Sequence, residues 1–275
     1  LSNNYGRLYI VSTPIGNLED ITLRAIRTLK EVDFIAAEDT RHSRKLLNHY
    51  GITKPLISYW SEKEKIRSKE IMEKLCSGLS VAIISDAGTP GISDPGAVLI
   101  KGAIDKGIDV IPIPGVSALI AALSVSGIST EEFTFIGFLP AKAAQRQKKL
   151  NELVFEQRAL IFYEAPHRIL ETLRDMEEIF GSRYIVLAKE ITKIHEEILR
   201  GTIPEIIDML ETKTIAGEYV IIAEGSKREK IQVDEALKEI KSLMKKGKGR
   251  KEAVKIVAGQ YGLSKKELYD KSLES

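Results

Sequence analysis

Two rhythms of apolar residues alternate along most of the chain. Short continuous apolar runs, the mark of buried strands, are followed by longer stretches in which apolar residues recur three or four apart, the mark of half-buried helices. "GRLYIVS" (6–12), "DFIAAE" (33–38), "PLISYW" (55–60), "SVAIIS" (80–85) and "DVIPIP" (109–114) read as strands. "ITLRAIRTLKEV" (21–32), "TRHSRKLLNHY" (40–50), the charged stretch Glu62–Leu75, "GAVLIKGAIDKG" (96–107) and the small-residue segment "SALIAALSVSG" (117–127) read as helices. Thr40 stands where the second of these helices needs a cap. Strands alternating with helices predict an α/β fold with a largely parallel sheet and helices on both faces.

A second block begins near Thr130. "EFTFIGFLP" (132–140) reads as a connector, followed by the helix 143–157, strand "ALIFYE" (159–164), helix 167–181, strand "YIVLAKE" (184–190), a polar "ITKIHEEILRG" (191–201), helix 203–211 and strand "EYVIIAE" (218–224). The polar "GSKREK" (225–230) interrupts the rhythm as a linker would, and the remainder of the chain reads as helical. Within it, two segments meet at "YGLS", where Gly262 can end one helix and Ser264 cap the next, as in a helix-turn-helix unit. The expected organisation is an N-terminal α/β domain (1–127), a second α/β domain (128–226) and a small basic helical module (227–275).

Charge separates the last of these from the rest. The net charge of the chain is +2, but residues 226–275 hold 14 Lys and Arg against 8 Asp and Glu, or +6, which leaves −4 for residues 1–225. A basic module on a mildly acidic body suits an anionic partner, with nucleic acid the leading candidate and a solvated lysine-rich helix the alternative. With 43% hydrophobic residues the chain can bury a substantial core. No apolar run approaches the length of a membrane span, and "LSNNYGRLYIVS" lacks the pattern of a secretory leader, so the expectation is a soluble cytoplasmic protein without membrane contact. Cys76 is expected in the core, and one cysteine with four scattered histidines makes no metal-site spacing.

Candidate chemistry concentrates after the strands. "SDAGTPGISDPG" (85–96) is long for a connection, and it lies at the carboxyl end of a strand, as do "TPIGNLED" (13–20) and "PGVS" (114–117). Open α/β sheets bind ligands at such ends, and glycines there let backbone approach a ligand closely. Three such loops suggest one shared site, in which Asp86 and Asp94 offer carboxylates to hydroxyls or amines. Neither the dinucleotide fingerprint G-x-G-x-x-G nor the phosphate loop G-x-x-x-x-G-K-[ST] occurs. The lysine-free, acidic loop repels phosphate and suits a cationic or neutral nucleoside-like ligand, an adenosine-like cofactor being one candidate among several.

At these residues the chain resembles a known family. "STPIGNLEDIT" (12–22), "AAEDTRHSRKLL" (36–47), "SDAGTPGISDPG", "PGVSALIAALSVSG" (114–127), "FIGFLP" (135–140), "FYEAPHRI" (162–169) and "KEITKIHEE" (189–197) are similar, in order, to the tetrapyrrole-methylase-type S-adenosylmethionine-dependent methyltransferases. Within that group they resemble the branch that methylates the 2′-hydroxyl of a cytidine ribose in small-subunit (16S) ribosomal RNA, and the tail resembles a helix-turn-helix-like extension found there. The resemblance implies a homodimer of two α/β domains with S-adenosylmethionine between the domains, and 16S rRNA or the 30S subunit as partner. It implies cofactor contacts at Pro14, Ile15, Asp86, Gly88, Thr89, Ser117, Ala118 and Tyr163. A small-molecule methyltransferase acting on a tetrapyrrole or corrinoid precursor is the alternative on the same fold, and the basic tail argues against it.

Transfer of a methyl group to a ribose hydroxyl needs a proton acceptor and alignment of the reacting atoms. The candidate catalytic residues are Glu38, Asp39, Glu164 and Glu190, with His195 a further possible base. Arg41, Arg44, His167, Arg168 and Lys189 are candidates for holding the RNA, several of them through its phosphates. Trp60 stands where many relatives carry a histidine-bearing stretch; it either stacks on a base or packs at a domain surface.

Overall fold

The computed structural model describes residues 4–227, 233–261 and 263–274. The chain divides into two compact units, one formed by residues up to Val125 together with Lys189–Glu197, the other by Ser126–Ala188 and residues from Ile198 onward.

In the first unit, β1 (Leu8–Val11), β2 (Phe34–Ala37), β3 (Leu56–Ser58), β4 (Val81–Ile84) and β5 (Val110–Ile113) form one sheet in the order β3-β2-β4-β1-β5. All four pairings are parallel. The apolar runs therefore face helices on both sides: Leu8, Ile10, Ala36 and Ile83 belong to one core cluster, Val11, Ile35, Ala37 and Ile84 to another. The flanking helices are α1 (Leu23–Glu31), α2 (Thr40–His49), α3 (Glu64–Cys76), α4 (Ala97–Asp105) and α5 (Ala118–Ser124). Cys76 is half-buried at the end of α3 against the first cluster. The cap of α2 differs from expectation. Asp39, not Thr40, is the N-cap, and its carboxylate accepts from the N–H groups of Arg41 (2.8 Å) and His42 (3.4 Å).

The second unit carries a sheet in the order β6-β7-β10-β8-β9, built from β6 (Phe133–Phe138), β7 (Ala159–Glu164), β8 (Tyr184–Lys189), β9 (Glu197–Thr202) and β10 (Tyr219–Ala223). Two stretches behave differently from their sequence reading. "EFTFIGFLP" is an edge strand, its regular pairing broken by an irregularity between Phe135 and Gly137. The polar "ITKIHEEILRG" supplies the opposite edge strand, β9, whose half-exposed residues hide the apolar signal of a buried strand. The sheet is mixed, since β6 and β7 are parallel and β7 and β10 antiparallel. Helices α6 (Ala143–Glu152), α7 (Ile169–Phe180) and α8 (Ile203–Glu211) cover it. Arg146 of α6, almost fully buried, donates to Asp175 of α7 at 2.5 Å, and Gln147 donates to the other oxygen of Asp175.

Helices α9 (Val233–Lys245), α10 (Arg250–Tyr261) and α11 (Lys265–Glu274) complete the chain, packed around Ala236, Ile240, Ala253, Val257 and Leu268. Ser264 caps α11, its hydroxyl accepting from Glu267 N–H at 3.3 Å. Gly262 and residues 228–232, which include half of the expected linker, lie outside the described residues.

Candidate functional site

Because the first sheet is parallel, β1, β2, β4 and β5 all deliver their carboxyl ends to the same edge. The loops that leave these ends are bonded to one another. Thr13 and Gly88 exchange two backbone hydrogen bonds, of 2.8 and 3.1 Å. The Ser12 and Thr89 hydroxyls are 2.8 Å apart, and Thr13 Oγ1 donates to the Ser85 carbonyl at 3.1 Å. The "PGVS" loop approaches so closely that a Cβ on Gly115 would lie 2.8 Å from that of Ser12, which only glycine avoids. Ser117 then caps α5 by position, with Ala118 its first residue.

Carboxylates gather at the same edge. Asp39 N–H donates to Asp86 Oδ1 at 3.2 Å, which ties the end of β2 to the loop after β4. Glu38 is pushed above the usual carboxylate range, chiefly by burial and then by the negative charges of Asp94 and Asp86. Asp94 is raised as well, by burial and by Asp86. Asp39 goes the other way. The Arg41 N–H and guanidinium hold its carboxyl below the usual range, and its ion pair with Arg41 spans 3.4 Å. Arg41 is otherwise exposed, as is Arg44. A recess of about 230 Å³ opens beside Asp86, lined also by Pro14, His42, Ser43 and Ser85. That is below the roughly 300–1,000 Å³ of pockets that hold a drug-sized molecule.

The far end of the 85–96 loop is held by Glu64. Its Oε1 accepts from Gly96 N–H (2.9 Å), Val98 N–H (3.3 Å) and the hydroxyl of buried Tyr59 (3.0 Å). Sequence reading missed this residue, because a lone glutamate in a charged helix carries no sign of a partner 32 positions away. Trp60, just before it, is half-buried, with the Lys63 ammonium 5.8 Å from its ring centre.

Lys189 and Glu190 group with the first unit through the segment Lys189–Glu197. A Cβ on Gly16 would lie 2.4 Å from Lys193 Cγ, so glycine there makes room for this segment. Glu190 accepts from Lys193 at 2.8 Å, and His195 is exposed. Among the described residues, the non-glycine positions with positive φ are Ser93, Glu190 and Thr192, all within motif stretches of this unit. Such conformations are costly and concentrate at functional sites.

Tyr163, Glu164, His167 and Arg168 lie together in the second unit, at the end of β7. Tyr163 meets Phe135 and Phe138 edge-on, with ring centres 5.0 and 5.7 Å away. The Glu164 carboxylate is fully enclosed. It accepts from Thr172 Oγ1 (2.6 Å), Ala165 N–H (2.8 Å) and Arg168 Nη2 (3.3 Å). Arg168 Nη2 also donates to the Leu139 carbonyl at 2.7 Å. This geometry gives Glu164 and Arg168 a bracing role for the "FLP" turn, while His167 stands exposed beside them. Pro14, Ile15, Glu38, Asp39, Asp86, Gly88, Thr89 and the 115–118 turn are thus brought to one edge of the first unit.

Residues 7–207 match the family described as Tetrapyrrole (Corrin/Porphyrin) Methylases, and the helices α9–α11 fall outside the match. The chain is 46% identical over 272 residues to the ribosomal RNA small subunit methyltransferase I of Halalkalibacterium halodurans, covering 96% of this chain and 94% of that one. It is 49% identical to the protein of the same name from Thermotoga maritima, a match of 80% of this chain to 99% of that one. In fold it is similar to uroporphyrin-III C-methyltransferase from Thermus thermophilus complexed with S-adenyl homocysteine, with a TM-score of 0.58 at 18% identity over 80% of this chain and 98% of that one. A match that runs from the first strand into α8, supported by relatives nearly half identical, means that the chain belongs to the tetrapyrrole methylase family.

Proposed function

We propose that this protein transfers a methyl group from S-adenosylmethionine to the 2′-hydroxyl of a cytidine ribose in small-subunit (16S) ribosomal RNA. The observation that carries the reading is similarity over 80–96% of the chain, at 46–49% identity, to proteins named for ribosomal RNA small-subunit methylation. The tetrapyrrole alternative rests on the description of the family and on structures of low identity, which speak to the fold. The 2′-hydroxyl of cytidine, a homodimer and the cytoplasm belong to the reading through the motif resemblance.

The residues present fit the cofactor. The 85–96 loop has no lysine or arginine, and it brings Asp86 and Asp94 to Glu38, an anionic surrounding that favours a sulfonium and disfavours a phosphate. Pro14, Ile15, Asp86, Gly88, Thr89, Ser117 and Ala118 would hold it in the first unit. S-adenosylmethionine supplies an electrophilic methyl group whose departure leaves a neutral sulfide, so no general acid is required.

The chain must accept the proton of the hydroxyl. Glu38 is the better base of the adjacent pair, because burial and two carboxylate neighbours make it more basic than an ordinary carboxylate. Asp39 is committed to the cap of α2 and to Arg41. Arg41 and Arg44, three residues apart on α2, are exposed and can meet the phosphates flanking the ribose. Glu190 and Lys189 stand as further candidates for proton acceptance and RNA contact. The test is methyl transfer from labelled S-adenosylmethionine, offered in parallel to unmodified small subunits and to a porphyrinogen. Label entering RNA supports the reading, and label entering only the porphyrinogen refutes it.

A further inference from the structure

We propose that the groove between α10 and α11 is a docking site for single-stranded RNA, separate from the residues of methyl transfer. The proposal rests on the RNA-substrate reading and gives it a location. Lys251 and Lys255 lie four apart on α10, and Lys265 and Lys266 open α11. These four exposed lysines line a shallow groove of about 320 Å³ together with buried Val254 and half-buried Tyr269. One acid, Asp270, is also in the lining.

Elsewhere on the same helices, Lys248 pairs with Glu252 at 2.6 Å and Lys271 with Glu267 at 3.1 Å. None of the four groove lysines meets an acid within ion-pairing distance among the described residues. Two of them occupy the first turn of α11, where the partial positive charge of the helix end repels a cation. A bound anion would meet these four charges and complement the positive end of α11. Tyr269 decides between kinds of anion. A cationic groove with an aromatic ring at its base is the arrangement that tracks a single strand, phosphates on the lysines and a base on the ring. A duplex would offer no base face to that ring, and the deep major groove of A-form RNA does not admit side-chain readout. The groove also lies outside the family match, which ends at residue 207. It therefore acts as an added grip on substrate.

The experiment compares the full chain with the variant K251Q/K255Q/K265Q/K266Q and with a control, K30Q/K65Q/K69Q/K101Q, which removes the same charge from the first unit. Circular dichroism checks that each is folded, and anisotropy follows binding to a single-stranded RNA oligonucleotide, and to its duplex, across a salt series. Removing one phosphate-binding charge flattens the plot of log affinity against log salt by about 0.7 for a single strand, so the groove variant should lose about 3 in slope. The control should lose less than about 1. Tyr269→Leu keeps an apolar side chain on the core and should weaken single-strand binding about ten-fold, with the salt slope unchanged. Equal flattening in groove variant and control, tighter binding of the duplex, or displacement of the RNA by an acidic peptide of equal charge would each overturn the proposal. Methylation of small subunits by the unaltered chain is measured alongside. Its absence counts against the RNA reading itself, whereas an unchanged slope with methylation intact counts against the groove alone.

Discussion

Asp39 donates its backbone N–H to Oδ1 of Asp86 across 3.2 Å, so the motif after β2 and the motif after β4 are one structural piece. Asp86 therefore has two tasks, orienting the end of β2 and adding negative charge beside Glu38. Asp86→Ala is expected to weaken S-adenosylmethionine binding by about 1–3 kcal/mol, the range for a hydrogen bond to a charged group. Titration calorimetry checks this, and an unchanged affinity would mean that the loop serves another ligand.

Glu64 provides a second, more distant control of the same loop. The three hydrogen bonds to its carboxylate all fall on Oε1, an oxygen that glutamine retains. Glu64→Ala should lower unfolding stability by about 1–3 kcal/mol and raise the KM for S-adenosylmethionine more than it lowers kcat. Glu64→Gln should recover most of both losses. If the glutamine variant is as impaired as alanine, charge rather than geometry is what the loop needs.

Much of this site was legible in the sequence, because parallel strands and Gly/Pro loops are local signals. The β–α rhythm places Pro14, Glu38, Asp86 and Ser117 at carboxyl strand ends without any knowledge of contacts. Three features were hidden for physical reasons. β9 is a half-exposed edge strand, so no apolar run announces it. Asp39 displaces Thr40 as the cap because both are good cap residues one position apart, and hydrogen-bond geometry alone chooses between them. The enclosure of Glu164 depends on Thr172, in the first turn of α7, and on a carbonyl 29 residues before Arg168.

That enclosure can be tested separately from catalysis. Thr172→Val keeps the shape of the side chain but leaves the buried carboxylate one donor short, at a cost of about 1–3 kcal/mol in chemical denaturation. At a temperature where the variant is fully folded, single-turnover methylation should change by less than about three-fold, well below the roughly 10²–10⁴-fold weight of a general base. A drop of the latter size would move Glu164 into the chemistry.

The basicity of Glu38 has a pH signature. A base works only when deprotonated, so the rate should fall as pH drops through the raised value of Glu38, above where an ordinary carboxylate titrates. Asp86→Asn removes one of the charges that raise it and should move this acid limb to lower pH. Glu38→Gln should abolish the limb and lower the single-turnover rate by about 10²–10⁴-fold with little change in RNA affinity. An acid limb that persists in Glu38→Gln assigns the proton to another group, with Glu190 and His195 next to be tested.

The atom that receives the methyl group tests the whole account most directly. Unmodified small subunits are incubated with the protein and S-adenosylmethionine, the RNA is digested to nucleosides, and mass spectrometry locates the added methyl. The account predicts 2′-O-methylcytidine, formed by the unaltered chain and lost in Glu38→Gln. A methyl group on a base, or RNA left unmodified by a protein that methylates a tetrapyrrole, would contradict it.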